Sequence, residues 1–352
     1  MTGNRKKEHL DICLNEDVSA EHNYWDDVKL IHRALPEVDM EEIDTSTIIF
    51  GKQLAAPIII SAMTGGYREA ESINKNLAEA AGELGIGMGV GSQRQAIEDS
   101  SLESTYSVVK DFDIPLVIAN LGAPQFIPQG EKDPFTVEDA RRAMEMIDAD
   151  ILAIHLNFLQ EVVQPEGDMK ARGCLEEIQK LARFLPIIVK ETGAGISRGT
   201  AMVLRTSKIK GLDVGGLGGT SFSAVEHFRA KNEKNSGKER LGRTFWNWGV
   251  PTPVSLMVAN IGLPMIATGG IRNGLDAARA LSLGASSAGM ASKLLPFAKE
   301  SSQAVVEELR LIISEVKAAM FLTGSKTIRE LEEANCVVVG GTAEWISGLE
   351  MR

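Results

Sequence analysis

Four groups of residues carry chemistry that a bare scaffold does not need. His155, Asn157, Gln160 and Glu161 form a compact polar set directly after the apolar run Ile151–Leu156. A carboxylate among neutral oxygen donors, with no cysteine nearby, suits Mg²⁺, which takes one or two protein ligands and completes its shell with water and substrate phosphates. Lys190 closes the run Pro186–Lys190, where a lysine serves as a base, a Schiff-base former or a partner for an electron-rich cofactor. Gly269-Gly270-Ile271-Arg272 opens a helix, as does Gly289-Met290-Ala291-Ser292; such turns present backbone N–H groups to a phosphate. Arg5-Lys6-Lys7 with His9 is a small basic cluster in an acidic chain. Taken singly, each has a plainer reading: Glu161 as a solvated acid, His155 as a structural histidine, Lys190 on the surface, the glycine pairs as turns, the basic cluster as a frayed terminus.

What raises them above those readings is the set of elements that must position them. Eight short apolar runs recur: Pro57–Ser61, Ile86–Val90, Pro115–Asn120, Ile151–Leu156, Pro186–Lys190, Gly211–Val214, Pro264–Thr268 and Ser286–Met290. They lack clean alternation, as strands buried on both faces do. Helical stretches lie between them: Glu69–Leu84, Val137–Ile147 with Thr136 as N-cap and Asp139 three residues on, Cys174–Leu185, Arg198–Thr206, Pro253–Ile261, Gly274–Leu283 and a long last helix over Leu294–Leu322. Alternation at roughly 30-residue spacing implies parallel strands. Eight units predict an α/β fold, a closed (β/α)8 TIM barrel. Nearly every run ends in polar or glycine-rich residues, and a barrel gathers those ends at one mouth. Residues 1–352 read as a single domain, with 1–45 an extension over the mouth and 46–352 the barrel. Arg229–Arg243, charged and containing Gly and Asn, is expected to be a mobile loop over the mouth.

Composition narrows the function. With 37 Lys and Arg against 48 Asp and Glu, the net charge of −11 argues against a nucleic-acid partner. An anionic substrate would need a local basic cluster. Cys13, Cys174 and Cys336 are far apart, so neither a disulfide framework nor a zinc site is expected, and a reducing cytoplasm fits. The uncharged stretch Thr244–Ile271 is broken by prolines and glycines, and no membrane span is expected. No dinucleotide fingerprint or P-loop occurs.

Together the motifs resemble the type II isopentenyl-diphosphate isomerases, flavin-dependent barrel enzymes of isoprenoid biosynthesis. The resemblance runs over essentially the whole chain. It rests on Arg5-Lys6 with His9, on Ser61 to Gly66, Gly91-Ser92-Gln93-Arg94, His155-Leu156-Asn157 with Gln160-Glu161, Val189 to Gly193, Gly218-Gly219-Thr220 and Gly269 to Arg272. It implies FMN, active when reduced, against Ala62, Met63, Thr64, Ser92, Asn120, Lys190, Thr220, Gly270, Ile271, Arg272, Ala291 and Ser292. It implies a diphosphate substrate at Arg5, Lys6, His9, Ser92, Gln93, Arg94, His155, Asn157 and Gln160. Glu161 matches the Mg²⁺-linked position, and Gln160, His155 and Lys190 are the implied catalytic groups. NADPH as reductant and a homo-oligomer, tetramer or octamer, are implied too. Gly215 stands where some relatives carry Ser, and Phe222 where Trp is common. An FMN-dependent TIM-barrel oxidoreductase of the hydroxy-acid or nucleotide dehydrogenase type explains Lys190 and the glycine-rich ends equally well. It does not explain Arg5-Lys6 or Gln160-Glu161.

Overall fold

The structure, a computed structural model, describes residues 2–350. Its centre is a closed barrel of eight parallel strands: Ile58–Ile60, Gly87–Gly89, Val117–Gly122, Ile151–Leu156, Ile187–Glu191, Gly211–Asp213, Met265–Thr268 and Ser287–Met290. Each falls within or beside one of the eight apolar runs. The reason those runs lack alternation is visible in the packing. Ile58, Ile60, Leu152, Ile154, Ile187 and Val189 face the surrounding helices, while Ile59, Ile151, Ala153 and Ile188 face the barrel axis. Both faces are buried, so both are apolar.

The inward positions change character along the axis. Ile118, Ala153, Ile188 and Ile266 form an apolar layer within the barrel. Two residues further along the same strands come Asn120, His155, Lys190 and Thr268, and Asp213 pairs in register with Lys190. Successive inward residues on a strand are two apart, so this is one polar layer at the C-terminal ends of the strands. At the opposite end, the hairpin Thr47–Ile49/Lys52–Leu54 closes the barrel, with Ile49 and Leu54 joining the interior cluster.

Several expectations need correction. Arg229–Arg243 is not a loop: it spans the end of a helix, Phe222–Asn232, and most of a second, Ser236–Thr244, whose cap Asn235 accepts from the Lys238 N–H. Its charge run misleads because Arg229 is buried, with its guanidinium paired to Glu8, Glu166, Glu226 and Glu233. The long last helix is broken. Ser301 is fully extended and caps a second helix, Ser302–Thr323, by accepting from the Ala304 N–H. The division at residue 45 also leaves out a contact: strand Val28–Leu30 of the extension pairs antiparallel with Cys336–Val338, followed by a helix Gly340–Glu350. The Thr136 cap is present, with Asp139 completing a reciprocal capping box. No helix among the described residues is long and apolar enough to cross a membrane.

Candidate active site

The polar layer forms the floor of a cavity of about 600 Å³ at the C-terminal ends of the strands. The helix Thr2–Asn15 of the extension brings Arg5, Lys6 and His9 to its wall. Every residue singled out as a site residue lines this cavity except Gln93. Gln93 is fully buried, its amide nitrogen donating to the Ala143 carbonyl and its Oε1 accepting from the Asn120 N–H. The expected substrate contact is therefore corrected: Gln93 holds the backbone beneath the site.

Three cations meet on one side. Lys6 Nζ donates to the Ser92 carbonyl at 2.6 Å and to the Tyr106 hydroxyl at 2.7 Å. No carboxylate among the described residues pairs with it. Part of the residue reaches solvent, but its ammonium is enclosed, and burial, with Arg5 and Arg94 nearby, lowers its pKa to about 7. Arg94 is held by Glu98 and Asp168, and Arg5 Nη1 lies 3.6 Å from Glu166.

His155 stands across from them. Asn120 gives its amide hydrogen to the Val90 carbonyl, so its Oδ1 must accept from His155 Nδ1, 2.7 Å away. The ring therefore carries its hydrogen on Nδ1 and keeps a lone pair on Nε2. Burial, with Lys190, Lys6 and Arg94 close by, pushes its pKa down to about 3, so it meets a ligand as a neutral ring. Beside it, Lys190 Nζ donates to Asp213 at 2.8 Å, and Asp213 also accepts from the Thr268 hydroxyl.

Gln160 and Glu161 sit on the short helix Phe158–Val163, with Asn157 at its start. The Glu161 carboxylate is buried, and burial raises its pKa. It accepts from Asn157 Nδ2, from Gln164 Nε2 and from the Asp168 N–H. Two neighbouring atoms are left over: Asn157 Oδ1 and Gln164 Oε1 are buried with no hydrogen-bond partner. No group of three or more His, Cys, Asp or Glu side chains among the described residues is placed to hold a metal. Gln160 Nε2 donates to Glu226 at 3.3 Å, and His9 Nε2 lies 2.8 Å from the same oxygen. Burial opposes the charge on Glu226, yet His9, Arg229 and Gln160 together hold its carboxyl below the usual range.

The opposite wall is built of glycines. Gly218, Gly269 and Gly270 have φ values of 143°, 106° and 79°. A Cβ on Gly219 would fall 2.6 Å from the Gly270 nitrogen, and one on Gly270 2.6 Å from the Gly218 carbonyl oxygen. Only two glycine-lined loops approach this closely. A side chain on Gly215 would overlap the Glu191 carbonyl, which rules out serine on this backbone. Arg272, expected at the FMN site, is already gripped by Asp26 and Asp276, which raise its pKa.

Three further groups have roles that the sequence pattern does not show. Asp213 lies two residues before the glycines that had marked the end of its strand. Glu226 lies on a helix, where an acid looks like surface. Glu191 turns back on its own loop, its Oε2 accepting four consecutive backbone N–H groups, Thr192 to Gly195. Burial nevertheless lifts its pKa to about 7.

Comparison with known proteins places these features among relatives. A family model described as FMN-dependent dehydrogenase matches residues 8–133 and 253–338. A Thermoplasma volcanium protein named isopentenyl-diphosphate delta-isomerase is 49% identical over 98% of this chain and 99% of its own length. A protein of the same name from Methanosarcina mazei is 48% identical over 98% of this chain and 94% of its own. Among solved structures, a mandelate oxidase in complex with (S)-2-phenylpropionate superposes with a TM-score of 0.64 at 19% identity, over 94% of each chain. That likeness concerns the fold.

Proposed function

The chain belongs to the isopentenyl-diphosphate delta-isomerases, within the FMN-dependent dehydrogenase family, and from that premise we propose that its barrel mouth interconverts isopentenyl and dimethylallyl diphosphate beside a bound FMN. The observation that carries the site assignment is Lys6. An enclosed ammonium with no carboxylate partner, flanked by Arg5 and Arg94 in a chain of net charge −11, is a place prepared for an anion.

The residues fit both groups that the reading requires. The glycine loops 218–219 and 269–270, with Ala291 and Ser292, leave room for the FMN phosphate against bare backbone. Lys190, Asn120, Thr64, Met63 and Ala62 also line the cavity and would meet the flavin ring. Glu161, with the unpartnered carbonyl oxygens of Asn157 and Gln164 beside it, offers the hard oxygen donors that Mg²⁺ prefers.

The reaction adds a proton to one terminal carbon and removes another two carbons away, so no electrons are exchanged overall. Reduced FMN, when bound, supplies the acid and base for this shift, with NADPH as the reductant that keeps it reduced. The chain's own residues do the rest. Arg5, Lys6 and Arg94 bind the diphosphate, and that binding energy orients the hydrocarbon end. Glu161 would hold Mg²⁺, and the metal's charge would offset that of the diphosphate. His155 Nε2, with its lone pair, accepts a hydrogen bond and adds no positive charge. Gln160 is aimed by Glu226, and its carboxamide positions the alkene end. The extension helix Thr2–Asn15 excludes water from a cation-like transition state. The same reading takes the protein as a cytoplasmic homo-oligomer.

The oxidoreductase alternative gives way because the relatives that match nearly end to end at 48–49% identity carry isomerase names. The deciding experiment is an anaerobic assay of isopentenyl diphosphate with FMN, Mg²⁺ and NADPH. Dimethylallyl diphosphate should form only with reduced flavin and without matching NADPH consumption. Steady NADPH consumption without product would sink the reading.

A further inference from the structure

The extension does more than carry Arg5 and Lys6. Three of its residues, close together in sequence, grip three of the four residues of the Gly269–Arg272 turn. The indole N–H of Trp25 donates to the Gly269 carbonyl at 2.9 Å. The amide nitrogen of Asn23 donates to the Gly270 carbonyl at 2.7 Å. Asp26 takes the Arg272 guanidinium on both oxygens, at 2.7 and 3.1 Å. Slightly earlier, the Ala20 N–H donates to the Gly219 carbonyl and the Ser221 N–H to the Val18 carbonyl, so the same strand of chain also holds the facing glycine loop.

In a planar trans peptide, the C=O and the following N–H point in opposite directions. Drawing the Gly269 carbonyl toward Trp25 turns the Gly270 N–H away from the extension. Drawing the Gly270 carbonyl toward Asn23 does the same for the Ile271 N–H. Both residues line the cavity, and among the described residues neither N–H has an acceptor. The arrangement is costly for empty backbone and right for a bound anion. Trp25 is fully buried and Asn23 also caps the Trp25 N–H, so the grip is rigid. Arg272 is spent on Asp26 and Asp276, which leaves backbone dipoles as the main attraction for the phosphate.

We propose that Asn23 and Trp25 are positioning residues for the cofactor phosphate: they hold two glycine carbonyls outward so that the N–H groups of Gly270 and Ile271 face the anion. The proposal rests on the reading of this wall as the FMN phosphate site. The test compares FMN with riboflavin, which lacks the phosphate, in titrations of the apoprotein followed by flavin fluorescence. Wild type should bind FMN more tightly than riboflavin. Trp25→Phe, which keeps an aromatic ring but loses the donor, should weaken FMN by about fivefold, the worth of one hydrogen bond, and leave riboflavin within about twofold. Asn23→Ala should do the same, so the test does not depend on one variant folding. Equal weakening of both ligands, or an undiminished preference for FMN, would overturn the proposal while leaving the phosphate site in place. No preference in wild type would overturn the phosphate-site reading, and the proposal with it.

Discussion

Lys6 shows how burial and neighbouring like charge act on a single side chain. Its pKa is lowered to about 7 by burial and by Arg5 and Arg94, against an ordinary value of 10.5. Between those values the folded, empty protein holds fewer protons than the unfolded chain. The stability cost of the buried charge is therefore fully present below about pH 7 and relieved as pH rises toward 10.5. A bound diphosphate reverses the local field and restores the proton. Diphosphate affinity should thus fall by up to about tenfold per pH unit above 7, with proton uptake on binding, seen as buffer-dependent heats in calorimetry. Lys6→Met should flatten that profile; an unchanged slope would remove Lys6 from the anion site. Glu161 allows an independent check. Glu161→Gln keeps the shape but not the charge, and should shift the Mg²⁺ dependence of turnover by about tenfold or more with flavin binding intact. Unaltered Mg²⁺ dependence would discard the metal role.

At the scale of elements, the barrel was legible because each strand is buried on both faces, and such strands leave a dense apolar run whatever their neighbours. The polar ends were legible for the matching reason: inward side chains at the mouth have no apolar layer above them, so Asn120, His155 and Lys190 stand out. What stayed hidden is cooperative. Arg229 reads as solvent-exposed until two carboxylates from distant segments, Glu8 and Glu166, join Glu226 of its own helix and the C-cap Glu233 to enclose it, and Gln93 reads as a ligand residue until the Ala143 carbonyl claims its amide. The break at Ser301 leaves no mark in the sequence pattern because apolar spacing continues across it, and only the cap geometry ends one helix and starts the next. Ser301→Ala should lower stability by about 1 kcal/mol in urea denaturation, with unchanged steady-state kinetics, since the cap lies outside the cavity. A change below about 0.3 kcal/mol would mean that tertiary packing alone holds the start of that helix.

At the scale of the whole molecule, residues 19–30 are clamped between two bodies. On one side Asn23, Trp25 and Asp26 hold the mouth of the barrel. On the other, strand Val28–Leu30 pairs with Cys336–Val338, the Asp27 carbonyl accepts from the Val339 N–H, and the Asp27 carboxylate accepts from both the N–H and the hydroxyl of Thr342. A carboxylate at that point caps the helix Gly340–Glu350 from a distant part of the chain. Segments more than 300 residues apart therefore set the position of the glycine turn together. Asp27→Ala should cost about 1–3 kcal/mol of stability, the penalty for stranding buried hydrogen-bond donors. It should also speed amide exchange across 342–349 and weaken FMN several-fold, although Asp27 does not line the cavity. Hydrogen exchange and flavin titration on the same variant separate the two effects. Faster exchange with unchanged FMN affinity would show that the barrel alone holds residues 19–26; loss of both would show that the distant helix is part of what keeps the cofactor wall in place.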